Sequence, residues 1–194
     1  MSHDPAGGTP FRAGVPLRDG LPFRVGVISD THVPRRAKVI PDWVFEAFEG
    51  VDLILHAGDL TTLDVLDELA RLAPVEAVAG NVDLMGGGGA AALPRRRVVD
   101  VAGVRIGLIH GDEGPGRSTP ERARLAFANA TRAVVFGHSH QPFNELIEGV
   151  LMFNPGSATD PRTAGEPSVG ILTIRPDRDP PVDGELVHRP RKLW

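Results

Sequence analysis

The chain is 194 residues long with a formal net charge of -4, 41% hydrophobic and 24% charged, an ordinary globular composition with no basic footprint for a nucleic-acid backbone. It has no cysteine, so disulfides, thiolate metal sites and cysteine nucleophiles are excluded, and any metal must take nitrogen and oxygen ligands. No apolar run reaches membrane-spanning length and the N-terminus lacks the apolar segment of a secretory signal, so a cytoplasmic protein without membrane contact is expected.

Residues 1–23 are rich in Gly and Pro and read as a flexible extension that buries little; an arm packed on a neighbouring subunit is the alternative. One domain is expected over 24–194. The apolar run 25–28 ends at Asp30 as a buried strand would. Residues 41–48, with Pro41 in the first turn and Gly50 past the end, predict a helix. A second strand is expected over 51–55 and a third over 75–79. Between them lies a helix carrying Leu63, Leu66, Leu69 and Ala70 behind a cap at Thr61 or Thr62. This β-α-β-α-β alternation predicts mainly parallel strands with helices outside. Residues 84–93 include Gly86-Gly87-Gly88-Gly89, show no periodicity and predict a mobile loop. Beyond it, 97–101 and 104–109 flank a turn at Ala102-Gly103, 120–129 predict a helix, and 133–136, 143–147, 150–153, 169–174 and 182–188 predict strands. Two stacked sheets with helices on their outer faces fit this order.

Five short clusters sit where these strands should end: Asp30-x-His32, Gly58-Asp59, Gly80-Asn81, His110-Gly111 and Gly137-His138-x-His140. In α/β sheets, ligands gather at the carboxyl ends of strands, so five loops can converge on one rim. The set holds two carboxylates, one carboxamide and four imidazoles, enough for two metal ions if one carboxylate bridges them. Carboxylate and imidazole suit hard or borderline divalent ions. A pair of such ions attracts a phosphate ester and generates hydroxide at neutral pH. Each cluster alone is common; their order, spacing and strand-end placement together carry the signal. The competing reading, for Asp59 and Asn81 above all, is of residues that cap helices and occupy turns.

Over about 24–175 the chain resembles the calcineurin-like metallophosphoesterases, and most closely their small single-domain bacterial and archaeal phosphodiesterase branch. The resemblance is carried by Ser29-Asp30-Thr31-His32, His56-Ala57-Gly58-Asp59, Gly80-Asn81-Val82-Asp83, Gly137-His138-Ser139-His140 and Asn154-Pro155-Gly156-Ser157. It implies a four-layer α/β/β/α sandwich of two mixed sheets with a dinuclear centre at one edge. It gives the first metal Asp30, His32, Asp59 and His140, and the second Asp59, Asn81, His110 and His138, with Asp59 as bridge. Asp59, Asn81, His110 and His138 are the residues it marks as catalytic. Mn2+ is the expected ion, with Ni2+, Fe2+, Co2+ or Zn2+ as alternatives, and a small phosphodiester the expected substrate. Nucleic acid is expected only as a small fragment or nucleotide, and a homo-oligomeric assembly is implied. A phosphomonoesterase and a non-catalytic scaffold of the same fold are the competing functions.

Two positions depart from that family. Many larger relatives carry His after Gly-Asn, near the leaving group; here Val82 can neither donate a proton nor stabilise charge. General acid-base assistance is worth ~10²–10⁴-fold, so a preference for esters with good leaving groups is expected. Where many relatives have His two residues after the fourth-cluster His, this chain has Asp112, read either as a residue supporting the site or as a surface-loop residue. His56 is read equally as a support for the ligands or as a core imidazole, and Asp83 as orienting the Asn81 loop. Arg35 and Arg36 are read as a solvated loop, or as phosphate contacts. Arg95-Arg96-Arg97 are read as a solvated strand start. Phe127, Phe136 and Phe153 are expected in the core.

Overall fold

The computed structural model describes residues 11–12, 22–86, 88–127 and 130–189. Its elements are β1 (Phe11–Arg12), β2 (Phe23–Ile28), α1 (Asp42–Ala47), β3 (Leu53–His56), α2 (Asp64–Leu69), β4 (Val75–Ala77), α3 (Asn81–Met85), β5 (Arg96–Val101), β6 (Val104–Ile109), α4 (Thr119–Phe127), β7 (Ala133–Val135), β8 (Phe143–Ile147), β9 (Val150–Asn154), β10 (Ser168–Ile174) and β11 (Val182–His188). Single turns of 3-10 helix lie at Ala90–Ala92 and Arg162–Ala164.

The central strands are apolar on both sides because both faces are covered. Successive side chains point to opposite faces, and the burial follows that period. Val25 and Val27 of β2, Leu53 and Leu55 of β3, Ile106 and Leu108 of β6, Ala133 and Val135 of β7, and Leu151 and Phe153 of β9 all enter one cluster between the sheets. Their neighbours Ile28, Ile54, Val169 and Ile171 instead pack with Val44 and Phe48 near α1 and with Val65 and Leu69 of α2. On the other side Val134, Val150 and Met152 pack under Ala123 and Phe127 of α4. The result is the expected four-layer order, helix, sheet, sheet, helix.

One sheet has the order β11-β10-β2-β3-β4, the other β1-β5-β6-β7-β9-β8. Strands β2, β3 and β4 are mutually parallel, and β10 joins β2 antiparallel. In the second sheet β7 is parallel to both β6 and β9, and β1 to β5, while β5 runs antiparallel to β6 and β8 to β9. Both sheets are therefore mixed. The parallel strands aim their carboxyl ends, and the loops after them, at one edge.

Most expected elements appear with boundaries shifted by a residue or two. Three readings need correction. The third strand stops at Ala77, and the region read as a loop from 84 begins inside α3, which opens at Asn81. This helix has five residues, too few to register as periodicity. Its start is set by the buried Asp83 carboxylate, which accepts the Gly80 N–H at 2.8 Å; an acid three residues into a helix is a capping signal. Thr61 does not cap α2: Leu63 stands at its N-cap position with no side-chain bond of its own, and Thr62 Oγ1, one residue before, accepts the Asp64 N–H at 3.4 Å. In the N-terminal extension, Phe11–Arg12 pairs in parallel with Val99 and Asp100 of β5; residues 1–10 and 13–21, read as flexible, lie outside the described residues. No helix among the described residues is long and apolar enough to cross a membrane.

Candidate metal centre

All seven candidate ligands meet at the edge where the parallel strands end. Asp30 and His32 follow β2, Asp59 follows β3, Asn81 opens α3, His110 follows β6, and His138 and His140 follow β7. Five of them, Asp30, His32, Asp59, His138 and His140, have positive φ between 46° and 65°. That region costs a side-chain-bearing residue on the order of 1–3 kcal/mol and persists only where the surroundings enforce it. Here they do. Asp30 N donates to Gly58 O and His32 N to Asp59 O, both at 3.0 Å. His138 N donates to Asp30 Oδ2 at 3.1 Å. The buried Asp83 carboxylate accepts three backbone N–H groups, from Asp59 and Gly80 at 2.8 Å and from Thr61 at 2.7 Å. Two glycines are required by the closeness of the loops. A Cβ on Gly80 would stand 2.6 Å from Asp59 N, and one on Gly137 would stand 2.7 Å from Asp30 Oδ2.

The ligand atoms form two overlapping groups. Asp30, His32 and His140 offer atoms all within 4.8 Å of one another, and so do Asp30, Asp59 and His110. In the first group His140 Nε2 lies 3.3 Å from Asp30 Oδ1 and 3.2 Å from His32 Nε2. In the second His110 Nε2 lies 3.4 Å from Asp59 Oδ1 and 4.0 Å from Asp30 Oδ1. Asn81 Oδ1 sits 3.2 Å from His138 Nδ1, and the His138 ring meets the His110 ring edge-on with centroids 5.3 Å apart. Although Asp30 belongs to both groups by distance, its Oδ2 is occupied by Ser29 Oγ and His138 N, leaving only Oδ1. Asp59 instead divides its carboxylate, with Oδ1 toward His110 and Oδ2 3.7 Å from His32 Nε2.

The residues present fit a bound cation. His110 Nδ1 donates to Ala57 O at 2.8 Å and His140 Nδ1 to Asp160 O, which leaves Nε2 of each ring as a lone-pair donor. His110 Nε2 and Asp30 Oδ1 are buried without any hydrogen-bond partner, an arrangement that costs ~1–3 kcal/mol per group unless something binds there. The electrostatics agree. Burial pushes Asp30 up, but the close approach of the His140 ring and the charges of His110 and His140 outweigh it and bring its pKa down from 3.8 to about 2. Burial pushes His110 down, but its close contact with Asp59 and the charges of Asp30 and Asp59 win and raise it from 6.5 to about 9. His140 is raised against burial by the same Asp30 contact, whereas burial lowers His32 and His138. The paired carboxylates thus demand positive charge between them, which a metal supplies as well as a proton.

Residues 23–177 match the calcineurin-like phosphoesterase superfamily domain. The chain belongs to that family. A probable metallophosphoesterase of Methanothermobacter thermautotrophicus is 45% identical over 161 residues, covering 83% of this chain and 90% of that protein. Among solved structures, Vacuolar Protein Sorting 29 from Cryptosporidium parvum aligns with a TM-score of 0.68 at 20% identity, covering 88% of this chain and 100% of that one. A protein described as a novel archaeal phosphodiesterase aligns with a TM-score of 0.64 at 22% identity, covering 86% and 100%. At those identities the two structures establish the shared sandwich. The family is that of phosphoester hydrolases, and its fold implies divalent metal binding.

Within this metallophosphoesterase, the residues beside the ligands resolve several open readings. His56 is fully buried; its Nε2 pairs with Thr31 Oγ1 at 3.1 Å and its Nδ1 accepts the Gly58 N–H at 3.2 Å. It therefore braces the first two loops, and burial brings its pKa from 6.5 down to about 3. Asp83 braces the second and third loops. Asp112 is partly buried and not free in its loop: Arg95 Nη2 donates to both its oxygens, at 2.7 and 2.6 Å. The solvated reading is corrected for Arg95 and for Arg97, which pairs with the buried Glu76, but holds for Arg96, which is exposed where it donates to Ala126 O at 3.4 Å. Arg36 remains largely exposed, 3.6 Å from Asp160 Oδ2. Missed in the sequence were Asp160, whose carbonyl fixes His140, and Ser157, whose hydroxyl donates to Asp30 O at 2.8 Å. Ser157 stood in a recognised motif without a role; Asp160 gave no signal.

Proposed function

We propose that this chain is a dinuclear-metal-dependent phosphodiesterase acting on small phosphate diesters. The observation that carries the proposal is the divided Asp59 carboxylate, one oxygen toward each ligand group. Asp30, His32, Asp59 and His140 would hold one divalent cation, and Asp59, Asn81, His110 and His138 the other, with Mn2+ first among the candidates. Bound cations would supply hydroxide at neutral pH and offset the charge gained at phosphorus.

The chain's own contribution is positioning. Ala57 and Asp160 fix the His110 and His140 tautomers, so each ring presents a lone pair. The Asp59 carboxylate is held low: burial raises its pKa, but the His110 ring beside it and the Val82 N–H more than offset that. Asn81 stands at the edge of the site, where its amide can reach a phosphoryl oxygen. Val82 offers no proton to the leaving group, which supports a preference for activated esters.

The test is hydrolysis of bis-nitrophenyl phosphate by metal-stripped protein with Mn2+ restored, beside Asp59→Asn. Mn2+-dependent turnover that disappears in the variant is the expected result. Folded, metal-loaded protein that cleaves neither diesters nor nitrophenyl phosphate would overturn the reading in favour of a binding protein. Faster cleavage of the monoester would make it a phosphomonoesterase.

A further inference from the structure

Asn81 and His110 reach the centre from different sheets, one after β4 and the other after β6. The sheets meet through apolar side chains, and apolar packing is non-directional. A ligand set needs positions held to about 0.5 Å, so something directional must tie these two loops together. The Ala57 carbonyl fixes the His110 ring, but not the backbone beside Asn81.

Arg95 spans that gap. Its Nη1 donates to Ala79 O at 2.7 Å, two residues before Asn81, and its Nη2 grips both oxygens of Asp112, two residues after His110. Pro94 O accepts the Ala79 N–H at 2.9 Å, so both polar groups of Ala79 are held by Pro94-Arg95. The Arg95 and Asp112 side chains are only 24% and 13% exposed. Partial removal from water strengthens such charge-assisted bonds. The His32–His140 side is held by a different set: Ser157 Oγ to Asp30 O, Thr159 Oγ1 to Thr31 O at 2.7 Å, and Asp160 O at His140.

We propose that Arg95, acting through Ala79 and Asp112, is a positioning residue for the Asn81–His110 half of the centre and sets the affinity of the cation bound there. Arg95 touches none of the seven ligands. This inference rests on the two-cation reading above. It also accounts for Asp112 at a position where many relatives carry His: here the position anchors a guanidinium.

The experiment is Mn2+ titration into metal-stripped protein, followed by electron paramagnetic resonance, which separates a coupled Mn2+ pair from an isolated ion. Wild type should bind two ions and give the coupled signal. Arg95→Leu should bind the first ion as wild type does and the second ~10–100-fold more weakly, the usual cost of losing a group that orients ligands. Arg95→Lys, keeping the charge but only a single donor nitrogen, should recover part of that loss. Folded Arg95→Leu that binds both ions normally, or loses both equally, would overturn the proposal. If Arg95→Leu does not fold, Asp112→Asn carries the same expectation. A wild type that binds fewer than two Mn2+ ions sinks the two-cation reading and this inference with it, so the wild-type titration tells the two failures apart.

Discussion

Asp83 is the most informative residue to perturb outside the ligand set. Its carboxylate is 1% exposed and accepts three backbone N–H groups, with Oδ2 taking those of Asp59 and Gly80 and Oδ1 that of Thr61. Asp83→Ala leaves three buried donors unpaired, each costing ~1–3 kcal/mol. Even with relaxation the loss should reach about 3–6 kcal/mol, a large part of the ~5–15 kcal/mol that keeps a domain folded. Asp83→Asn is the sharper experiment, being isosteric. Its single oxygen can stay at the Oδ2 position and keep two bonds, while its NH2 group then faces the Thr61 N–H. One bond is lost and one donor is set against another, so about 1–3 kcal/mol should go. Urea denaturation of the metal-stripped protein measures this directly. The same variant should bind Mn2+ more weakly, because Asp59 N is one of the groups released. Asp83→Asn with unchanged denaturation midpoint and unchanged Mn2+ affinity would refute the claim that this carboxylate shapes the site.

Three further outcomes are expected. His56 has a folded-state pKa near 3 against 6.5 unfolded, so the unfolded chain binds the extra proton; the associated stability is fully present above pH 6.5 and drains away as pH falls toward 3, on the order of 3–5 kcal/mol. Urea denaturation of His56→Gln should therefore show a shallower loss between pH 7 and pH 4, and equal slopes would count against it. Val82→His should raise turnover of unactivated alkyl diesters by ~10-fold or more while barely changing nitrophenyl esters, read as the ratio of kcat/KM values. Stripping metal should lower Tm in a manner reversed by Mn2+, because ligand bound only to the folded state stabilises it by about 2.7 kcal/mol at a hundredfold excess over Kd; a Tm indifferent to Mn2+ would speak against a site formed by folding.

The sandwich was legible because its strands are buried on both faces and end at chemically distinctive residues. The runs before Asp30 and His138 needed only their apolar length and their flanking Gly. Most of what stayed hidden depends on single contacts, many of them between residues distant in sequence. Arg95 looked like an exposed strand start, yet its partners lie 16 residues before it at Ala79 and 17 after it at Asp112. The short α3 owes its start to one buried carboxylate rather than to periodicity. Asp160 contributes through its backbone carbonyl, which no residue type announces.

The shape of the centre is imposed by the chain and not by whatever it binds. Five ligands stand in left-handed backbone conformations, and the bonds that hold them there run between protein groups: Asp30 N to Gly58 O, His32 N to Asp59 O, His138 N to Asp30 Oδ2. Asp83, His56 and Arg95 each tie two of the ligand-bearing segments together, and Ser157 holds the Asp30 carbonyl. A cation arriving at Asp30 Oδ1, or one arriving at His110 Nε2, meets a buried atom with no hydrogen-bond partner and need order no loop. Little of its binding energy is then spent on rearrangement, which is what preorganisation means in a site of this kind. The strain at the ligands and the buried bonds around them are therefore two sides of one design: neither would persist without the other.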